Sequence, residues 1–180
     1  MDIIIKNIIN NLPYNKDSKI KWNKRATSKI NKIVVHQELA DGTLESVNNY
    51  HITPAADNHI SKNGAPHICY HFGIRKNGEI CQCNELDDIT WHTKGHNTVG
   101  VSIMLQGDFD AKEAKHKGKN KTPSKEQLES LKKLLDYLTK ELLSRLENKD
   151  VYGHCELQNK PVCPGDDLMK LIQEYRNEKV

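Results

Sequence analysis

The chain has 180 residues, of which 36% are hydrophobic and 28% are charged, and its formal net charge is +3. A chain of this length fits one domain that buries enough surface to be stable without disulfide bonds. No apolar run reaches the roughly 20 residues that a membrane-spanning helix needs, so no membrane insertion is expected.

The first 28 residues show weak periodicity and are expected to form an N-terminal arm, ahead of a folded domain at residues 29–180. Basic residues are concentrated in the first 32 positions and again at residues 110–126. Either stretch could steer the protein to an anionic polymer, but solvated surface explains both equally well. The N terminus lacks the apolar run and cleavage site of a secretory signal peptide, and the five cysteines are an odd number. Both features predict a protein that accumulates in the cytoplasm.

A β-branched run at residues 32–36 predicts a short buried strand that ends at His36. Residues 44–52 are predicted to form one short helix. The stretch at residues 53–66 contains Pro, Asn and Gly, and it predicts a loop.

The dipeptide Asn77-Gly78 is the strongest short-range signal for a β-hairpin, here between residues 67–76 and 79–84. With a two-residue turn, the alternation of side chains turns His71 away from one shared face. In this register Ile74 lies opposite Cys81, and Phe72 lies opposite Cys83. The residues predicted to share that face are Tyr70, Phe72, Ile74, Cys81 and Cys83.

Residues 99–105 predict another apolar strand, and residues 110–123 predict a Lys-rich loop. Ser124 and Gln127 have the spacing of a capping box, which predicts the start of a long helix. One apolar stripe is predicted to face the core from this helix, at Leu128, Leu131, Leu135, Leu138, Leu142 and Leu146.

A short strand is predicted at residues 150–152, running into Gly153 and His154. Pro164 introduces a last helix, whose buried face is predicted to contain Leu168, Leu171, Ile172 and Tyr175. The order of strands and helices predicts an α/β fold with a mixed central β-sheet flanked by helices.

Three residues at predicted strand ends or in adjoining loops could bind a metal: His36, His154 and Cys163. Imidazole and thiolate are good zinc ligands, and three protein ligands leave a fourth position for water, as in catalytic sites. A sheet holds such residues rigidly enough for metal binding. The alternative interpretation is a polar strand end, a loop histidine and a buried thiol, and the residues alone leave both open.

Six short motifs follow one another along the chain. They are Ile33-Val34-Val35-His36, Tyr70-His71-Phe72, Trp91-His92, Asn97-Thr98-Val99-Gly100-Val101, Gly153-His154 and Cys163-Pro164-Gly165. Together they resemble the type 2 family of zinc-dependent N-acetylmuramoyl-L-alanine amidases, which includes phage endolysins, bacterial recycling amidases and animal peptidoglycan recognition proteins. Trp22 and Arg25 also resemble the recognition proteins. The resemblance covers roughly residues 22–175 and implies the amidase-like α/β fold.

The resemblance implies that His36, His154 and Cys163 are the three protein ligands of a Zn²⁺ ion. It places Tyr70 beside the zinc-bound water, in a positioning or proton-relay role. It also makes Lys160 the catalytic lysine, although Lys160 precedes Cys163 by three residues where the family usually has two.

The resemblance also places Trp91, His92 and Asn97 beside the groove that holds the sugar and peptide, which makes them candidate substrate-binding residues. The alternative for this segment is a surface loop with one packed indole. His71 is expected to have a structural hydrogen bond and no metal bond.

The function implied is hydrolysis, by a zinc-activated water, of the amide bond between the lactyl group of N-acetylmuramic acid and L-alanine in peptidoglycan. The alternative is a non-catalytic peptidoglycan-binding module of the same fold, in which the third ligand is typically lost. A nucleic-acid binder is disfavoured, because the chain has no recognition motif and few aromatic residues for base stacking. The expected protein is endolysin-like, a monomer by default, and held in the cytoplasm until its release to act on the bacterial cell wall.

Overall fold

The structure is a computed structural model, and it describes residues 3–109, 122–158 and 162–178. Its strands are β1 (Ile5–Asn7), β2 (Lys32–Gln37), β3 (Phe72–Ile74), β4 (Ile80–Gln82), β5 (Gly100–Leu105) and β6 (Val151–Gly153). They form a six-stranded sheet in the order β1-β4-β3-β5-β2-β6. Strands β3 and β4 are antiparallel and the other neighbouring pairs are parallel, which confirms the predicted mixed sheet.

Helices pack on both faces of this sheet. They are α1 (Leu44–Ile52), α2 (Lys125–Asp136), α3 (His154–Leu157) and α4 (Asp166–Asn177). The predicted capping box of α2 is present, since Ser124 Oγ accepts from the Gln127 N–H at 3.0 Å and Gln127 Oε1 accepts from the Ser124 N–H at 3.1 Å. Within the described ranges, no helix is long and apolar enough to cross a membrane.

Alternation along β2 directs neighbouring side chains to opposite faces of the sheet. Ile33 and Val35 belong to the main core cluster, which the leucines of α2 and the buried face of α4 complete. His36, the next residue, therefore points to the other face, where Leu44 of α1 belongs to a second cluster. The local patterns that predicted β2, α1 and α4 are confirmed, and together they put His36 on the α1 side of the sheet.

The predicted hairpin is present, but its predicted register is wrong by one residue. Ile74 lies opposite Ile80, and Phe72 lies opposite Gln82. The two cysteines that were expected at those positions therefore turn to the other face of the sheet. The expected shared face is split: Phe72 and Ile74 belong to the main core, whereas Tyr70, Cys81 and Cys83 pack in the α1 cluster.

The turn of the hairpin explains the shifted register. The Arg75 N–H donates to the Glu79 carbonyl at 3.0 Å, so the turn contains three residues and not two. Gly78 is the last of the three and adopts a φ of 83°, in the left-handed region that glycine tolerates. A three-residue turn of this kind adds one residue before the second strand and so shifts every pair in the hairpin.

The long helix was predicted as one continuous element, and this is wrong. The α-helix ends at Asp136 and continues as a π-helix at Tyr137–Leu142. At its end the Leu143 N–H donates to the Leu138 carbonyl at 2.8 Å, an i→i+5 bond that rotates later residues around the helix axis. As a consequence Leu142 leaves the predicted buried stripe and is 42% exposed.

The N-terminal segment contributes β1 to the edge of the sheet, where no strand was predicted. Strand β1 pairs in parallel with β4, with Ile5 opposite Ile80. Ile8 and Leu12 follow and are buried in the α1 cluster. The described part of this segment therefore packs on the domain. The predicted Lys-rich loop falls mostly at residues 110–121, outside the described residues.

Candidate metal centre and its cleft

Two parallel strands bring two histidines to the same edge of the sheet. Strands β2 and β6 are neighbours, and Val35 lies opposite Gly153. The next residues along the chain are His36 and His154, so the two side chains lie side by side. Their ring centroids are 4.5 Å apart. The carboxyl ends of parallel strands thus bring together residues that are far apart in the sequence.

Cys163 meets these histidines from the segment between α3 and α4. The Cys155 N–H at the start of α3 donates to the Cys163 carbonyl at 2.8 Å. Gln37, next to His36 in β2, donates its side-chain N–H to the Val162 carbonyl. These contacts hold the Cys163 Sγ 3.8 Å from His36 Nδ1.

The three residues fit one metal ion. One ligand atom from each of His36, His154 and Cys163 lies within 4.8 Å of the others. In a tetrahedral zinc site, a sulfur at about 2.3 Å and a nitrogen at about 2.1 Å from the ion are about 3.6 Å apart. The observed separation of 3.8 Å between Cys163 Sγ and His36 Nδ1 is close to this value. His36 and Cys163 are buried and His154 is partly exposed, so the ligand set is accessible from one side.

Burial keeps two of the predicted ligands, His36 and Cys163, uncharged near neutral pH. The pKa of His36 lies well below its usual value, first because of burial and then because His92 and His154 are nearby. Burial raises the pKa of the Cys163 thiol to about 12. Neutral imidazole binds metals directly, whereas a cation must displace the thiol proton in order to bind sulfur. A metal bound at this site would therefore displace the proton of Cys163.

The ligands line a cleft with a volume of about 1040 Å³. Its walls include the end of β2, residues of α1 and the loop before β5. Trp91 in that loop lines the cleft and packs edge-on against Trp22, with ring centroids 5.4 Å apart. This volume is at the upper end of the range for ligand pockets, about 300–1,000 Å³. The cleft is therefore large enough for an extended ligand.

Tyr70 lies beside the predicted metal ligands, with its ring centroid 5.2 Å from that of His36. Burial raises the pKa of Tyr70 above its usual value, and a negative charge on the neighbouring Cys163 raises it further when that thiol is ionised. The hydroxyl therefore stays protonated near neutral pH and is able to donate a hydrogen bond. Lys160, the other predicted catalytic residue, lies outside the described residues, and its role stays a prediction.

The loop that precedes β5 contacts His36 from the side opposite Cys163. His92 Nδ1 lies 3.2 Å from His36 Nε2, and Thr93 Oγ1 lies 3.4 Å from the same nitrogen. His92 also lines the cleft. Burial lowers the pKa of His92 well below its usual value, so this ring is neutral as well. A predicted substrate-binding residue thus lies directly against a predicted metal ligand.

Asn97 holds this loop together. Its Oδ1 accepts the N–H groups of His92 at 3.1 Å and Thr93 at 2.7 Å. Trp91 and His92 are among the residues that line the cleft, whereas Asn97 lies behind them. The three predicted substrate-binding residues are therefore brought together in one loop, but the Asn97 carboxamide oxygen is engaged within it.

Arg25 holds the same loop from the interior. Its guanidinium donates to the carbonyls of Leu86, Asn97 and Gly100 at distances between 2.7 and 3.1 Å. Burial lowers the pKa of Arg25 to about 10, so the group stays charged at neutral pH. A charged donor that satisfies several buried carbonyls ties the loop to the start of β5.

Two further buried histidines lie near the centre. His71 Nδ1 is 2.9 Å from Ser102 Oγ, in agreement with its predicted structural hydrogen bond. His51, which carried no predicted role, lines the cleft and has its ring centroid 5.7 Å from that of Tyr70. Its Nδ1 accepts the Cys69 N–H at 3.0 Å. The signal that could have found His51 is the helical spacing of the buried residues of α1, which are Leu44, Asn48 and His51.

The chain matches a protein-family model described as N-acetylmuramoyl-L-alanine amidase over residues 26–166. It is 31% identical over 103 residues to an endolysin of Klebsiella phage KP32, a match that covers 57% of this chain. The match spans 62% of the length of that endolysin, which is less than two thirds of it.

Solved structures share the fold over nearly the whole chain. The N-acetylmuramoyl-L-alanine amidase LysC from Clostridium intestinale URNW superimposes with a TM-score of 0.72 at 22% identity, covering 99% of this chain and 100% of that one. The ectodomain complex of peptidoglycan recognition proteins LCa and LCx, bound to tracheal cytotoxin, gives a TM-score of 0.70 at 22% identity over 96% of both chains. These similarities confirm the fold that the sequence motifs implied.

Proposed function

The chain belongs to the N-acetylmuramoyl-L-alanine amidase family, and from this premise we propose that it cleaves the amide bond between the lactyl group of N-acetylmuramic acid and L-alanine in bacterial peptidoglycan. The observation that carries the proposal is the convergence of His36, His154 and Cys163 in the cleft. All three residues lie within the part of the chain, residues 26–166, that matches the family.

These three residues are proposed to hold a zinc ion. Bound zinc supplies a Lewis acid that polarises the scissile carbonyl and lowers the pKa of water to about 7. His36 offers a neutral imidazole nitrogen, and Cys163 offers a thiolate once its proton is displaced. Nitrogen and sulfur donors suit zinc, whereas magnesium and calcium prefer oxygen donors.

Tyr70 is proposed to assist the reaction as a donor. Because its hydroxyl stays protonated beside the ligands, it can donate a hydrogen bond to the oxygen that gains negative charge in the transition state. Lys160 supplies positive charge to the same oxygen under this proposal, on the strength of the family resemblance. Donors of this type stabilise a developing oxyanion more strongly in a cleft than in bulk water.

The muramic acid and its stem peptide are proposed to lie along the cleft. Trp91 offers an indole, held by Trp22, against which an apolar face of the substrate can pack. His92 borders the same space, and Asn97 acts indirectly by shaping the loop. Support for a peptidoglycan ligand comes from the similarity in fold to the recognition proteins LCa and LCx, which are bound to tracheal cytotoxin.

We also propose that the protein acts as an endolysin. The relative in Klebsiella phage KP32 is an endolysin, and the match to it covers 57% of this chain. A protein of this type degrades the bacterial cell wall. The alternative, a binding module without activity, is disfavoured because each of the three ligand positions holds a residue that binds zinc well.

Release of free N-terminal alanine from purified bacterial peptidoglycan tests the proposal. The zinc-loaded wild-type protein is expected to release it, a chelator is expected to stop the release, and mass spectrometry of the products locates the cleaved bond. Cys163→Ser is expected to lose stoichiometric zinc. Because removing even an outer partner of a ligand costs about 10- to 100-fold, loss of this ligand should lower activity by more than about 100-fold.

Cys155→Ser is the matched control, because Cys155 is a nearby cysteine, partly exposed, outside the three-residue ligand set. This variant should keep both zinc and activity. Tight binding to cell walls without alanine release would favour the binding module. Retention of stoichiometric zinc by Cys163→Ser would show that Cys163 is not a ligand.

A further inference from the structure

The side chain of Asn84 uses its whole hydrogen-bonding capacity in the interior. Its NH₂ group donates to the carbonyls of Ile68 at 2.6 Å and Tyr70 at 2.7 Å. Its Oδ1 accepts the Trp22 indole N–H at 2.9 Å and lies 3.1 Å from His67 Nδ1. Since carbonyl oxygens only accept and an indole N–H only donates, the orientation of this amide is determined. Asn84 is 1% exposed, so loss of the amide would leave buried partners without hydrogen bonds.

The amide lies where the pairing of β3 with β4 has ended. Strand β3 begins at Phe72, and the preceding carbonyl, that of His71, accepts the N–H groups of both Cys83 and Asn84. Tyr70 comes one residue earlier, outside the strand. Its carbonyl therefore has a side-chain donor at a point where β4 no longer provides a backbone donor.

The two sides of this amide reach two parts of the proposed active site. On the NH₂ side is Tyr70, whose ring centroid lies 5.2 Å from that of His36. On the oxygen side is Trp22, whose ring packs edge-on against Trp91 with centroids 5.4 Å apart. Tyr70 and Trp91 both line the cleft, whereas Asn84 lies behind them.

We propose that Asn84 is a positioning residue that holds in place both Tyr70 and the pair of Trp22 and Trp91. This inference rests on the proposed function and adds to it a buried group that touches neither zinc nor substrate. Tyr70 acts in the transition state under that function, so its displacement should lower kcat, and a displacement of about 1 Å can cost about 100-fold. Trp91 packs against bound substrate, so loss of its support should raise KM.

Two substitutions change the two sides of the amide separately. Asn84→Asp keeps the oxygen that accepts from Trp22 and removes the NH₂ group that donates to Tyr70. With a soluble muropeptide as substrate, it is expected to lower kcat by about 10- to 100-fold and to leave KM within about twofold of the wild type. Trp22→Phe keeps an aromatic ring and removes the indole N–H. It is expected to raise KM by about 2- to 10-fold with kcat nearly unchanged.

A double-mutant cycle with Tyr70→Phe separates positioning from general damage to the fold. If Asn84 acts through Tyr70, Asn84→Asp should lower kcat by less than about twofold in a protein that already lacks the hydroxyl. An equal loss of kcat in both backgrounds would overturn the inference. An unchanged kcat in Asn84→Asp alone would overturn it as well.

Asn148→Asp is the matched control. Asn148 is another buried amide, 6% exposed, and it donates to the Tyr175 carbonyl at 3.0 Å, away from the cleft. The variant should lower the Tm and leave kcat and KM unchanged. The same fall in kcat as in Asn84→Asp would overturn the inference, because activity would then follow stability alone.

Nuclear magnetic resonance tests the hydrogen bonds in the wild-type protein without any substrate. The chain has two tryptophans, so two indole N–H signals are expected, and the one that disappears in Trp22→Phe belongs to Trp22. This proton and the NH₂ protons of Asn84 should exchange slowly with solvent, because their acceptors are buried. Rapid exchange of all of them would overturn the inference, even if Asn84→Asp does not fold. A wild type that releases no alanine would remove the proposed function, whereas slow exchange would still support the placement of Asn84.

Discussion

Burial sets the protonation state of two single residues of the candidate metal centre, His36 and Cys163. It lowers the pKa of His36 well below its usual value and raises that of Cys163 to about 12. The imidazole is therefore ready to bind a metal at any pH near neutrality, whereas the thiol must first lose its proton. The pH dependence of metal binding should consequently report on Cys163.

Zinc affinity is expected to rise about tenfold for each pH unit between about pH 7 and pH 9, because binding displaces one proton from a thiol whose pKa lies above that range. The sign follows from the raised pKa, since the thiol is protonated throughout this range and a higher pH makes its proton easier to remove. Chelator competition at several pH values measures the slope. The slope should be absent in Cys163→Ser, and a flat profile in the wild type would contradict a thiolate ligand.

Among the helices and strands, the N-terminal cap of α2 also connects this helix to the hairpin turn between β3 and β4. Ser124 Oγ caps α2 and also donates to the Lys76 carbonyl at 2.9 Å. Six residues further along α2, Ser130 Oγ donates to the Gly78 carbonyl at 2.7 Å. The start of α2 is therefore tied to the turn between β3 and β4, away from the cleft.

Replacing the cap should weaken the fold without changing the metal centre. Ser124→Ala is expected to lower the free energy of unfolding by about 1 kcal/mol, because it leaves a helix-terminal N–H without its acceptor. Chemical denaturation measures the change. Ser124→Asp keeps the capping oxygen but cannot donate to Lys76, so it separates the two contributions. An unchanged stability in Ser124→Ala would contradict the role of the cap, and a loss of zinc affinity would contradict its separation from the cleft.

In the molecule as a whole, the candidate metal centre brings together distant parts of the chain. His36 and Cys163 are 127 residues apart in sequence, yet their ligand atoms are 3.8 Å apart. An ion bound by both, and by His154 of α3, ties β2 to the segment that precedes α4. Since the unfolded chain does not bring these residues together, metal binding should favour the folded state.

Zinc is expected to stabilise the wild-type protein against heat. At a free zinc concentration of about 100 times its Kd, the free energy of unfolding should rise by about 2.7 kcal/mol, which scanning calorimetry detects as a higher Tm. Magnesium, which prefers oxygen donors, should leave the Tm unchanged. Cys163→Ser should lose most of the zinc effect. The same Tm for the wild type with and without zinc would contradict the proposed site.

Features that depend on neighbouring residues were predictable from the amino-acid sequence. The β-branched run before His36 predicted β2, the Ser124 capping box predicted the start of α2, and helical spacing predicted the buried face of α4. The family motifs also singled out His36, His154 and Cys163 as residues that should meet. The strand and helix signals were sufficient to predict these elements because their physical causes lie within a few residues. The three site residues were predicted from the motifs that carry the family resemblance.

Contacts between distant groups became visible in the three-dimensional structure. The three-residue turn at Gly78 shifts the hairpin register, and β1 pairs with β4. The contact of His36 with Thr93 depends on how the loop before β5 lies against the end of β2. No local pattern contains this information, because the free energy of such contacts is set by the packing of segments that are far apart along the chain.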